Sequence, residues 1–182
     1  MRHLLILPLL FLSTLSHAAE FTALRAQQSR ISFVSEQMGV PVEGEFKKFT
    51  ARIALDTGKP QLGTARIDID LASIDVGSDE AYEEVNGKSW FDSKKHPTAS
   101  FVSDKVTCTA PGRCEVSGKM TIRNVTREVK APFTFKPQGG TLLVEGAFPL
   151  KRLDYGIGSG LWGDTDIVAN EVQIRFRLTL SK

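Results

Sequence analysis

The chain has 182 residues, 41% hydrophobic and 24% charged, which fits one folded unit with a core of useful size and excludes intrinsic disorder or a fibrous repeat. A formal charge of +2 is too small for a nucleic-acid field, so no nucleic-acid partner is expected. Of the three histidines, His3 and His17 lie in a removable leader, so His96 stands alone and a multi-histidine zinc site is excluded.

At the start of the chain, Met1-Arg2-His3 is positive, Leu4 to Leu15 is apolar, and Ser16-His17-Ala18 has the small-x-small pattern of a cleavage site. Residues 1–18 therefore read as a signal peptide cut after Ala18. The apolar stretch is shorter than the roughly 20 residues that span a bilayer. Residues 19–182 are left as a single domain, expected to be soluble and exported. No second long apolar run follows.

Period-two alternation then dominates. It appears at Ile31/Phe33, at Ile53/Leu55 and at Ala65/Ile67/Ile69/Leu71, with Gly58-Lys59-Pro60 as an intervening turn. Ser78 to Gly87 breaks the pattern: Ser78 suits an N-cap, Asp79 and Glu80 suit the positive end of the helix dipole, and Gly87 suits a helix end, so a short helix is predicted. Cys108 and Cys114 flank Pro111-Gly112, a tight-turn pair, and in an oxidising compartment they are expected to form a hairpin disulfide. Val129/Ala131/Phe133/Phe135 alternates again, and Pro137 to Gly140 reads as a turn. The strongest strand is the last, where Val172, Ile174, Phe176, Leu178 and Leu180 alternate with Gln173, Arg175, Arg177, Thr179 and Ser181. Half-buried antiparallel strands joined by hairpins make the class all-β. A strand-rich domain of this size must protect its edges, and a closed barrel and a β-sandwich both do so.

Aromatic residues are numerous, with nine Phe from Phe33 to Phe176 among the alternating positions together with Trp90 and Trp162. They would fill a core. In a barrel of about eight strands they would instead line a space large enough for one ligand.

Several phrases occur in order along the chain: Ser29-x-Ile31-x-Phe33, Gly44-x-Phe46-x-x-Phe49, Ile67-x-Ile69 leading to Ser73-Ile74-Asp75, Trp90-Phe91-Asp92 with Pro97-x-Ala99-x-Phe101, and Gly118-x-Met120-Thr121-Ile122-x-Asn124-Val125-Thr126. Arg152 to Gly158, followed by Ile167-Val168-x-Asn170-Glu171-Val172-x-Ile174, completes the set. In these phrases the chain resembles the YceI-like family of bacterial periplasmic polyisoprenoid-binding proteins, over essentially all of residues 19–182. The resemblance implies a lipocalin-like extended antiparallel β-barrel with a short helix. It also implies a bound isoprenoid lipid such as ubiquinone or polyprenyl phosphate, with no catalytic cofactor. Many relatives carry a basic residue and His before the first glycine of the pattern, where this chain has Glu36-Gln37-Met38-Gly39. Loss of the cation and gain of Glu36 favour a neutral, quinone-type head over a phosphorylated one.

Within such a barrel the expected pore lining is Phe33, Phe46, Phe91, Phe101, Met120, Phe133, Phe148 and Trp162, rigid apolar groups that suit the flat alkene units of an isoprenoid. Arg152, Asp154 and Tyr155, next to the glycine-rich run Gly156 to Gly160, are the candidates for the pore mouth or head group. A structural corner held by an Arg152–Asp154 pair is the competing reading. His96, before Pro97, is expected to face solvent. Transient contact with a membrane or a quinone enzyme, and a homodimer, are further expectations.

An enzyme is not expected. Asp68 and Asp70 share the polar face of a strand, and His96 is the sole imidazole available to serve a nucleophile. The alternative function is a secreted β-sandwich module for carbohydrate binding or adhesion, with no internal lipid; it would carry aromatics on one flat exposed face.

Overall fold

A computed structural model describes residues 20–182. The predicted signal peptide and its cleavage after Ala18 lie outside the described residues. The strands are β1 (Glu20–Phe21), β2 (Ala23–Leu24), β3 (Arg30–Gln37), β4 (Val40–Phe46), β5 (Phe49–Asp56), β6 (Thr64–Asp70), β7 (Ile74–Asp75), β8 (Thr98–Ala110), β9 (Arg113–Ile122), β10 (Val125–Gln138), β11 (Thr141–Lys151) and β12 (Glu171–Ser181). One α-helix, α1 (Asp79–Asn86), interrupts them, capped by the Ser78 hydroxyl, which accepts from the Ala81 amide at 3.2 Å.

All strand pairs are antiparallel, and one curled sheet runs β1-β5-β6-β8-β9-β10-β11-β12-β3-β4-β7. Its two long end strands, β4 and β5, are consecutive in the chain, separated only by Lys47 and Lys48, so the curl brings them together at that corner although no ladder pairs them. A 3-10 turn at Leu71–Ser73 clips that junction: the Lys47 amide donates to the Ser73 carbonyl at 3.0 Å, and the Asp70 amide to the Lys48 carbonyl at 3.0 Å. The N-terminal residues lace the remaining seam. β1 pairs with β5, whereas β2 pairs with β12, which extends past the end of β3 and leaves a free edge at Leu180 and Ser181. Phe21 in this strap is buried. The barrel reading is therefore the one that forms, and the sandwich alternative is not.

Tight turns set the register. Met38-Gly39, Arg123-Asn124 and Gly139-Gly140 are two-residue hairpin loops with both residues at positive φ, the conformation whose twist matches that of the flanking strands. The Pro137–Gly140 turn is shorter than predicted, because Pro137 pairs within β10 opposite Leu142. Cys108 and Cys114 are cross-strand partners at the β8–β9 hairpin and are disulfide-bonded. In β12 the apolar series Val172 to Leu180 faces the interior, while Arg175 and Arg177 reach outward to Glu43 and Glu145.

Candidate functional site

The barrel encloses two lobes that share Ile31, Ile69, Met120 and Ile174 as common wall. The lower lobe, 110 Å³, is bordered by β3, β5, β6, β8–β12 and by Gly63 and Thr64, with no polar side chain except the Thr64 hydroxyl. The upper lobe, 410 Å³, falls within the usual size range of small-ligand sites. It is roofed by α1, the 90–91 segment and the 152–168 segment, and its polar lining groups are Ser35, Gln37, Glu80, Glu84 and Arg152. Polarity is thus confined to one end.

All eight residues expected to line a pore border this space. Phe101, Phe133 and Phe148 are in the lower lobe, Phe33, Phe46, Phe91 and Trp162 in the upper, and Met120 in both. The rings of Phe33, Phe46 and Phe91 form a chain, with centroids 5.8 and 6.2 Å apart. Most of the lining is aliphatic, which an aromatic count overlooks; Phe176 and Trp90, counted among the aromatics but outside the expected lining, also border the space, as do Glu80 and Glu84. Phe176 was findable, since it shares a face with Ile174 and Leu178. Glu80 and Glu84 lie one helical turn apart, a spacing that places both on one side of α1 once its packing is known.

Three glycines govern how the rings lie. Phe33 faces Gly44 and Phe176 faces Gly146 across paired strands, and Phe101 lies diagonally over Gly118. A Cβ at Gly118 would sit 2.8 Å from the Phe101 ring, one at Gly146 would sit 2.9 Å from Cε1 of Phe176, and one at Gly44 would sit 2.8 Å from Cε1 of Phe33. A bare backbone at each position lets the ring fold flat on the wall instead of standing into the lumen.

At the mouth, Arg152 is 1% exposed, and its guanidinium donates to four backbone carbonyls: Nε to Ala169 (3.0 Å), Nη1 to Ile157 and Gly158 (both 3.0 Å), and Nη2 to Val168 (2.6 Å). Its charge also lies 5.6 Å from the Trp90 ring centroid. Among the described residues no carboxylate pairs with it, and burial alone lowers its pKa. The Arg152–Asp154 corner is therefore absent: Asp154 is exposed on a 3-10 turn (Arg152–Tyr155) and lines neither lobe. Tyr155 also misses the lumen. It is buried in the core with no partner for its hydroxyl, and burial pushes its pKa up to about 12. Three-residue turns reverse side-chain direction within one or two positions, so neighbours in sequence end up on opposite sides of the wall. His96 is half-buried with a buried, unpartnered Nδ1, not solvent-facing as expected. Trp162 donates to Glu84 at 2.6 Å and packs 5.6 Å from Trp90, which ties α1 to the 160–163 turn above the lumen. Among the described residues no group of three or more His, Cys, Asp or Glu is placed to hold a metal ion.

One curled antiparallel sheet around an apolar lumen, polar only at one end, defines a lipocalin-like fold. The YceI-like domain model matches residues 23–180, and the chain belongs to that family. A crystal structure of Burkholderia cenocepacia BcnA is 42% identical, with a TM-score of 0.84 over 86% of this chain and 98% of that one. A polyisoprenoid binding domain from Saccharophagus degradans implicated in plant cell wall breakdown shares the fold at 17% identity, with a TM-score of 0.67 over 91% and 99% of the two chains. A UPF0312 protein of Ectopseudomonas mendocina is 26% identical over 144 residues, 75% of each chain.

Proposed function

We propose that this protein is a non-catalytic periplasmic carrier that holds an isoprenoid lipid, with its tail in the two-lobed lumen and a neutral, quinone-type head at the α1 end. The observation that carries the reading is the polarity gradient: a lower lobe whose one polar side chain is Thr64, and an upper lobe that holds Ser35, Gln37, Glu80, Glu84 and Arg152. Membership of the YceI-like family, together with the fold shared with a polyisoprenoid binding domain from Saccharophagus degradans, supports the ligand class. Each buried methylene is worth about 0.8 kcal/mol, and ordering a flexible tail offsets much of the total, so binding is reversible.

The head-group assignment follows from charge. Arg152 commits four of its five N–H donors to carbonyls, while Glu80 and Glu84 line the same lobe, so a phosphate would meet two carboxylates and a largely occupied guanidinium. Export is supported by the pattern of residues 1–18 and by the Cys108–Cys114 disulfide, which suits an oxidising compartment. Organic extraction and mass spectrometry of protein purified without detergent test the carrier reading; a ligand-free protein that takes up no quinone on titration refutes it. Stronger binding of polyprenyl phosphate than of ubiquinone refutes the head-group assignment.

A further inference from the structure

We infer that the rim of the pore mouth is a docking surface for a lipid bilayer with zwitterionic headgroups, a step that rests on the carrier reading and adds where the cargo is exchanged. Large apolar side chains exposed among the described residues are few, and five of the seven, Met38, Val40, Tyr82, Leu161 and Ile167, lie within two residues of a residue that lines the upper lobe. Met38 is 72% and Leu161 90% exposed. The segments that bear them are those that line the upper lobe. Gln37 and Val42 in the β3–β4 hairpin line the lumen beside Met38 and Val40, Ala81 lines it beside Tyr82, and Trp162 and Val168 line it beside Leu161 and Ile167. The hairpin tip and the 160–168 segment are joined, since the Met38 amide donates to the Ile167 carbonyl at 2.9 Å and Gln37 bridges Val168.

Clustering of exposed apolar groups at an opening marks an interaction site. Its chemistry favours a fluid lipid surface. The tips stand on three separate segments around a hole, a shape that a deformable bilayer accommodates around each tip more readily than the fixed face of a second copy. Tyr82 and Trp162 are amphipathic rings whose polar ends are already bonded, to the Ala72 carbonyl (3.1 Å) and to Glu84, so neither leaves a donor unpaired in an apolar phase. The exposed charges beside these segments are mostly acidic, Glu36, Asp79, Glu83, Asp164 and Asp166 against Lys88, which opposes an anionic membrane and leaves apolar insertion as the driving force. Contact at the mouth also spares an isoprenoid tail any passage through water.

Flotation with phosphatidylcholine vesicles tests this, with parallel vesicles containing phosphatidylglycerol and with the N-terminus of the purified protein read by mass spectrometry. The wild-type protein is expected to float with phosphatidylcholine alone. The double variant Met38→Asp/Leu161→Asp, at two surface positions, is expected to bind at least about tenfold more weakly with unchanged circular dichroism. Lipid extracted from the same preparations reports separately on the carrier reading: unchanged cargo with lost flotation supports the docking surface, and an empty protein that still docks, and stops docking in the double variant, supports it too while removing the carrier. Three results would overturn the proposal: a wild-type protein that ignores phosphatidylcholine vesicles, including one that binds only another protein; binding that needs anionic lipid and vanishes in salt; and a double variant that floats like the wild type.

Discussion

Adding one methyl group at Gly44 tests whether bare strand positions hold the rings against the wall. A Cβ there would lie 2.8 Å from Cε1 of Phe33 and 2.7 Å from the Asp75 carbonyl oxygen. Unstrained carbon contacts need about 3.5–4.0 Å, so the ring must retreat by about 1 Å. Phe46 occupies one flank, 5.8 Å away between centroids, so the open direction is into the upper lobe. Overpacking of this kind costs about 1–3 kcal/mol. Gly44→Ala is therefore expected to lower stability in urea by about 2 kcal/mol and to weaken quinone binding measured by fluorescence titration. Phe33→Leu in the same background, by removing the ring, recovers the ring's share of the loss, while the share set by the Asp75 carbonyl persists. A Gly44→Ala protein that matches the wild type in both assays refutes the reasoning, as does a double-mutant cycle with no coupling between the two sites.

Tyr155→Phe removes a buried hydroxyl that has no partner, so it is expected to be neutral or stabilising in urea. The wild-type phenol keeps its proton to about 12 when folded and ionises near 10.0 when unfolded. Stability from this group is thus fully present below pH 10 and drains away between pH 10 and 12, by roughly 2–3 kcal/mol, and the Phe variant should lack that slope. Arg152→Met strands four carbonyls and is expected to cost about 3–5 kcal/mol, with proteolysis at residues 156–169 appearing before global unfolding. Replacing Cys108 and Cys114 together by Ser opens a small loop at the far end of the β8–β9 hairpin; a loss near 2 kcal/mol with quinone binding unchanged is expected.

Wherever one face meets the core and the other meets water, the sequence was readable. Val172 to Leu180 alternates without interruption, and β12 covers Glu171–Ser181; the acids and caps of Ser78 to Gly87 place α1 to the residue. The lumen aromatics were readable for the same reason, since an inward face is inward whether it meets a core or a cavity. The mouth was not. Arg152 finds its partners at positions 157, 158, 168 and 169, all backbone carbonyls of an irregular segment that no period encodes. Asp154 and Tyr155 stand on a 3-10 turn, where adjacency says nothing about facing. The glycines at 44, 118 and 146 carry meaning only once cross-strand register sets each beneath a ring.

The strap that laces the seam also constrains the order of assembly. Ala23 pairs with Ser181 and Leu24 with Leu180, so the second described strand finds its edge only on the last one, and only after β11 has positioned it. Closing so long a loop early would cost chain entropy with no nearby contact to offset it, whereas the β8–β12 hairpins form from neighbours. A chain that emerges with its N-terminus first therefore carries its closing segment from the outset and docks it last, and until then β5 and the end of β12 present unpaired edges to whatever protein meets them.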